Sequence, residues 1–200
     1  MNARVPAVEA TQLTLGPDDD GREVTTEEFA EARYIEPYKY ELVDGRLLVM
    51  PPDGDGHQST SMPLRDHLGA YRLARPDFVQ AVYSNPWVRV SERTNRIGDV
   101  GVYLARPDGS FDYPDQPPDL IFEVVSPSAS VKRRDYVQKR AEYQALGIPE
   151  YVILDRFKAE AVVLTLVDGV YEQSVLRAAD TYETPRLPGF ALRLAEVLGG

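Results

Sequence analysis

Several charged side chains stand where the surrounding pattern is apolar. Asp99 is the single acid of IGDVGVYL (residues 97–104), Glu123 that of LIFEVV (residues 120–125), and Glu41 lies in the first strand-like run of KYELVDGRLLVM (residues 39–50). Lys139 falls in DYVQKRAEY, four residues after Asp135, three after Tyr136 and four before Tyr143. That spacing puts it on or beside the apolar stripe of a helix, where its stem can cross a packing surface and deliver an ammonium group. A carboxylate in an apolar strand is costly without a cation, and two close together will not both ionise without one. Carboxylate oxygens suit magnesium or manganese, which lower the pKa of bound water and stabilise charge on a phosphate. A lysine beside them can orient the attacking water or stabilise developing negative charge. Lys132, Arg133 and Arg134 add a basic cluster at the start of the same helix, placed to meet phosphate with the helix N-terminus. Two acids, a lysine and nearby basic residues suit phosphodiester hydrolysis. Structural ion-pair networks imitate functional ones, and the spacing by itself leaves open a buried ionic cluster of Asp99, Glu123 and Lys139 that only holds helix to sheet. For Glu41 the local pattern alone favours a solvated outer face.

The elements that must position these residues are legible around them. Residues 120–125 read as a strand buried on both faces; Ser126, Pro127, Ser128 and Ser130 break it and offer caps. Residues 131–146 read as a helix closed by Gly147, and YVILD (residues 151–155) as a second strand. Strand, helix, strand implies a right-handed crossover between parallel strands. Residues 97–104 read as one strand, with Asp99 on the face of Ile97, Gly101 and Tyr103, and Glu123 on that of Ile121 and Val125. Antiparallel pairing of the two strands would bring Asp99 beside Glu123. Asp44-Gly45 and Asp168-Gly169 each mark a hairpin. Thr25 with Glu28 makes a capping box for a short helix. Residues 57–74 suggest an amphipathic helix on the spacing of Met62, Leu64, Leu68, Tyr71 and Leu73, with Pro63 tolerable only near its start. Residues 78–83 and 87–90 read as strand pieces, residues 92–95 as a turn and residues 106–118 as a long loop. The fold class expected is α/β or α+β: a mixed sheet with a central parallel crossover and flanking hairpins. Residues 1–22 are expected to be a flexible tail, and residues 23–200 a single domain.

Net charge is −10 and the pI about 4.7, which provides no global basic field for nucleic acid or anionic membrane, although a local patch can act within an acidic protein. There is no cysteine, so disulfides and thiolate metal sites are excluded. No run approaches membrane-spanning length, and the first residues lack the apolar stretch of a signal peptide. The expectation is a soluble, cytoplasmic protein.

The order YELVDGRLLVM, a Pro-rich loop with His57, IGDVGVYL, LIFEVVSPSAS, a helix bearing Lys139, and GIPEYVILD resembles the Uma-two family of bacterial endonucleases, in the restriction-endonuclease-like PD-(D/E)XK superfamily. The resemblance runs over about residues 25–198. Its most specific part is EVVSPSAS followed by KRAEYQALGIPEYVILD. It implies a restriction-endonuclease-like fold, Asp99 and Glu123 as ligands of Mg2+ or Mn2+, Glu41 as a further acid of the metal shell, and Lys139 as the catalytic lysine. The superfamily lysine usually stands two residues after the acid; that position here is Val125, and the lysine is carried by the following helix. Gly98 stands where the family usually has proline. His57 matches a histidine near a helix start and reads as a local hydrogen-bonding residue rather than a ligand. The expected partner is DNA, and a homodimer would suit cutting both strands. The rival readings are a nuclease scaffold that binds without cutting, a regulatory subunit whose acidic surface meets a basic partner, and the same site acting on RNA or a small phosphodiester.

Overall fold

The structure, a computed structural model, describes residues 12–199. They form two compact units: the described residues up to Pro52 with Glu92–Thr94, and Asp53–Ser91 with the described residues from Asn95 on.

In the first unit, strand β1 (Thr14–Leu15) pairs in parallel with β2 (Arg33–Tyr34). Leu15 is fully buried and Ile35 donates its amide to the Leu15 carbonyl, so the expected tail does not extend to residue 22. Residues 1–11 of that tail lie outside the described residues. Helix α1 (Thr26–Glu31) starts at the anticipated capping box, with the Thr25 and Glu28 side chains each accepting the other's amide at 3.1 and 2.9 Å. Strands β3 (Lys39–Val43) and β4 (Arg46–Met50) form the first hairpin, whose turn residues Asp44 and Gly45 have φ of 52° and 78°. Glu41 is fully buried between the equally buried Tyr40 and Leu42, so the solvated-face reading of this residue is overturned: β3 is covered on both faces.

The second unit is built on a six-stranded sheet. Its elements are α2 (Asp55–Ala74), β5 (Val79–Ser84), β6 (Trp87–Ser91), β7 (Thr94–Ile97, all but its first residue), β8 (Val100–Leu104), β9 (Leu120–Val124), β10 (Glu150–Asp155), β11 (Glu160–Val167) and β12 (Val170–Arg177), with a helix from residue 129 to 146 between β9 and β10. The sheet order is β12-β11-β10-β9-β8-β5. Only the β9–β10 pair in it is parallel, which is the expected crossover; β11 and β12 form the Asp168-Gly169 hairpin. The helices, strands and hairpins together make the mixed α+β class anticipated from the sequence.

The sheet has two apolar faces. Val100, Val102, Leu120, Phe122, Val124, Val152 and Leu154 pack with Leu64 and Leu68 of α2. Ile121, Val125, Tyr151 and Ile153 pack on the other face with Tyr143 and Ile148. Each such burial contributes roughly 1.5–3 kcal/mol. The chain ends in the small β13–β14 pair (Thr181–Glu183, Ala191–Arg193) and α5 (Ala195–Leu198).

Three local expectations are revised. Pro63 lies in the interior of α2, where the missing amide leaves one i→i−4 bond unmade. The buried stripe of α2 is His57, Thr60, Ser61, Leu64 and Leu68, while Met62 and Leu73 are exposed. Residues 97–104 are not one strand: β7 ends at Ile97, β8 starts at Val100, and Gly98-Asp99 form a bend between them, so strand alternation does not pass through Asp99. β7 also begins at Thr94, within the stretch expected as a turn.

Candidate active site

The pairing of β8 with β9 sets Val100 opposite Phe122 and Gly101 opposite Ile121. The register therefore brings the bend at Asp99 to the level of Glu123. The Asp99 amide donates to the Phe122 carbonyl at 3.2 Å, and Asp99 Oδ2 accepts the Val124 amide at 2.8 Å. Gly98 makes this approach possible. A Cβ there would stand 2.6 Å from Ile121 Cδ1 and 3.6 Å from Glu123 Oε1, so a side chain at 98 would push Ile121 aside.

Glu123 shares its strand face with Ile121 and Val125, and that face is covered by the helix after β9. The helix is α3 (Ala129–Arg133), a π-helical segment (Arg134–Lys139) and α4 (Arg140–Leu146). Widening of this kind re-aims side chains and recurs at functional sites. Lys139, the last residue of the π segment, donates to Glu123 Oε1 at 2.7 Å and to the Ile97 carbonyl at 2.6 Å. Its ammonium also lies 3.9 Å from Asp135 Oδ1. Tyr143, one turn on, reaches Glu123 Oε1 at 3.4 Å. Lys139 and Glu123 are almost wholly removed from solvent, at 1% and 3% exposure.

Burial pushes the Glu123 carboxyl up to about 8; Lys139 opposes that rise, while the charges of Asp99 and Asp135 add to it. Asp135 is raised as well, chiefly by burial, against the pull of Lys139 and Arg134. Burial thus disfavours the charged form of both acids, and Lys139 only partly offsets it.

On its other side Asp99 meets α2. His57 Nε2 lies 2.9 Å from Asp99 Oδ2, and His57 Nδ1 lies 3.4 Å from Asp53 Oδ2. Nδ1 is buried and makes no hydrogen bond. Asp53, His57 and Asp99 each offer a ligand atom, and these atoms all lie within 4.8 Å of one another, a spacing that suits a metal ion.

The structure therefore brings together Asp99, Glu123 and Lys139, the three residues singled out from the sequence. It places His57 directly against Asp99, where the sequence pointed only to a local hydrogen bond. Asp53 escaped the sequence reading; its one signal is its position four residues before His57 at a helix start. Glu41 belongs to the first unit, so the part given to it rests on the resemblance alone. Among the basic residues at the helix start, Arg134 is turned to Asp135 at 3.3 Å and is mostly buried, so it is not displayed for phosphate. Arg133 is exposed, and Lys132 lies over the Phe157 ring at 4.9 Å.

No match was found among curated proteins. Among solved structures, the chain is similar to the crystal structure of a putative nuclease belonging to DUF820 from Anabaena variabilis, determined at 1.96 Å. The likeness covers 88% of this chain and 98% of that one at a TM-score of 0.66 and 14% identity, and so shows a shared fold. The family profile for Uma2, described as "Putative restriction endonuclease", matches residues 26–195, and the chain belongs to the Uma2 family.

Proposed function

We propose that this chain is a divalent-metal-dependent endonuclease that hydrolyses phosphodiester bonds of DNA. The observation that carries the reading is the meeting of Asp99, from the β7–β8 bend, with the buried Glu123–Lys139 pair, from neighbouring strand and helix. Family membership supports the same reading. The donor set fits a cation: ligand atoms of Asp53, His57 and Asp99 within 4.8 Å of one another, and a buried imidazole nitrogen without a hydrogen bond among the described residues. An imidazole among carboxylates departs from the all-oxygen sets that magnesium prefers, so manganese is the better first choice.

Asp99 and Glu123 would hold the ion, with His57 and Asp53 completing or orienting the shell. A divalent cation there supplies Lewis-acid stabilisation of phosphoryl charge and lowers the pKa of a bound water. Lys139 fixes the Glu123 carboxylate and keeps an ammonium beside the reacting phosphate, where it offsets developing negative charge. The Ile97 carbonyl holds that ammonium in place.

The direct Lys139–Glu123 contact favours one other reading, a nuclease fold that keeps its acids for structure and binds without cutting. Thermal melting with manganese and magnesium, alongside plasmid nicking, separates the two. The expected result is a melting temperature raised by metal in the wild type, unchanged by metal in Asp99→Ala and Glu123→Ala, with nicking only in the wild type. A wild type that neither melts higher with millimolar metal nor nicks DNA overturns the nuclease reading in favour of the binding one.

A further inference from the structure

The turn after β10 presents an arginine that makes no ion pair among the described residues. Asp155, fully buried, fixes this turn: its Oδ1 accepts the amides of Phe157 and Lys158 at 3.0 and 3.2 Å, and its Oδ2 accepts the Tyr136 hydroxyl at 3.0 Å. Arg156 and Phe157 are therefore held by a clamped backbone. The Arg156 guanidinium carbon lies 4.2 Å from the Phe157 ring centroid, and Lys132 Nζ lies 4.9 Å from the same ring. Two cations from separate elements thus share one half-exposed aromatic ring, an arrangement stabilised by cation–π attraction.

Neither cation is neutralised. Lys158, beside them, pairs with Asp155 and Glu160. Arg156 and Lys132 make no ion pair among the described residues, and Arg156 Nε is buried without a hydrogen-bond partner.

Their position ties them to the candidate site. A Cβ at Gly56 would stand 2.6 Å from Arg156 Cζ and Nη1, so the guanidinium packs on the backbone of the residue preceding His57. The Val125 amide donates to the Leu154 carbonyl, so β9 and β10 end at one edge of the sheet, the edge where Asp99 meets Val124. A guanidinium held in one orientation is prepared for bidentate contact with phosphate, and an ammonium acts as a point charge on the next one.

We propose that Arg156 and Lys132, seated on Phe157, form a clamp for backbone phosphates of DNA, with Arg156 gripping the phosphate nearer His57. The clamp rests on the nuclease reading for its substrate, yet it acts without metal and can be tested apart from it. The probe is a short fluorescently labelled DNA duplex, bound to the full chain in EDTA across a salt series and followed by anisotropy. Each lost phosphate contact reduces the slope of log K against log salt concentration by about one. The expected slope loss is about one for Arg156→Ala and about two for Arg156→Ala with Lys132→Ala. Gly56→Ala provides a second variant that leaves every charge in place. Alanine suits a helix, and its methyl group meets only the guanidinium end of the Arg156 side chain and no backbone, so the fold persists while the guanidinium is turned out of place and affinity falls. A wild type without salt-dependent binding overturns the clamp. So do Arg156→Ala and Gly56→Ala proteins that melt cooperatively and bind as the wild type does. Wild type that binds with full slope but never nicks DNA with manganese sinks the nuclease reading and leaves the clamp standing. Arg156→Ala that nicks and binds like wild type does the reverse.

Discussion

Strands β9 and β10 run side by side, and each carries a buried glutamate, yet the two acids live in opposite circumstances. Glu150, at the start of β10, accepts the Tyr182 hydroxyl on Oε1 and the Thr184 hydroxyl on Oε2, the latter at 2.7 Å, with Arg186 4.0 Å away. Each oxygen has a partner that belongs to the fold. Glu123, near the end of β9, meets both Lys139 and Tyr143 on Oε1, with Asp99 and Asp135 close enough to raise its pKa. Satisfied buried polar groups rigidify a structure, whereas an acid whose charged form burial and neighbouring acids disfavour leaves free energy that a ligand can recover. The difference separates a structural carboxylate from a candidate catalytic one, though both are buried and both lie in strands.

Removing Lys139 should have the largest effect. Lys139→Ala leaves the buried Glu123 carboxyl without its main hydrogen-bond partner, and plasmid nicking should vanish while stability falls by about 1–3 kcal/mol in chemical denaturation. Nicking retained in a folded Lys139→Ala protein would remove the catalytic role and make the two glutamates alike.

Next comes pH. The folded-state pKa of Glu123 is raised from 4.5 to about 8, so the folded protein holds its proton more tightly than the unfolded chain. Its contribution to stability is present below about pH 4.5 and is lost as pH rises through 8. Without metal, the melting temperature of wild type should fall across that window more than that of Glu123→Gln. Parallel pH profiles for the two proteins would break the contrast. Manganese should offset part of the fall in wild type, because it takes the place of the proton.

Glu150→Gln tests the other half of the comparison. It should cost about 1–3 kcal/mol by disturbing hydrogen bonds with Tyr182 and Thr184. Metal-induced stabilisation and nicking should remain those of wild type. Loss of the metal response would mean that Glu150 belongs to the site after all. Smallest is Gly98→Ala, whose methyl group must push the end of the Ile121 side chain; about 1 kcal/mol of overpacking is expected, with cleavage reduced rather than abolished.

Much of this was readable in the residues. The parallel crossover followed from two apolar runs flanking a helix that ends in Gly147, because such runs have few other ways to bury both faces. Both Asp-Gly turns formed hairpins, since those residue types accept the positive φ that the turn needs. Asp99, Glu123 and Lys139 stood out as charges in apolar surroundings, and burial has to bring such charges to partners. Less was readable where the signal is not periodic. The bend at Gly98-Asp99 interrupts a sequence that alternates as if it were one strand, and the π segment carrying Lys139 has no pattern of its own in RDYVQK. Met62 and Leu73 drew attention as apolar residues of α2, while His57, Thr60 and Ser61 were the ones turned inward.

The sequence by itself therefore determined which side chains must find partners, because the cost of burying a charge in an apolar run is local. It determined the strand–helix–strand order too, through hydrophobic period and the residues that end each element. Which partners those charges find was decided only by the tertiary structure. Asp53 and His57 reach Asp99 from a helix start more than forty positions away, and Arg156 reaches Gly56 across a hundred residues of chain. Such meetings depend on sheet register and on how α2 packs over β9, long-range quantities that no short stretch of sequence encodes.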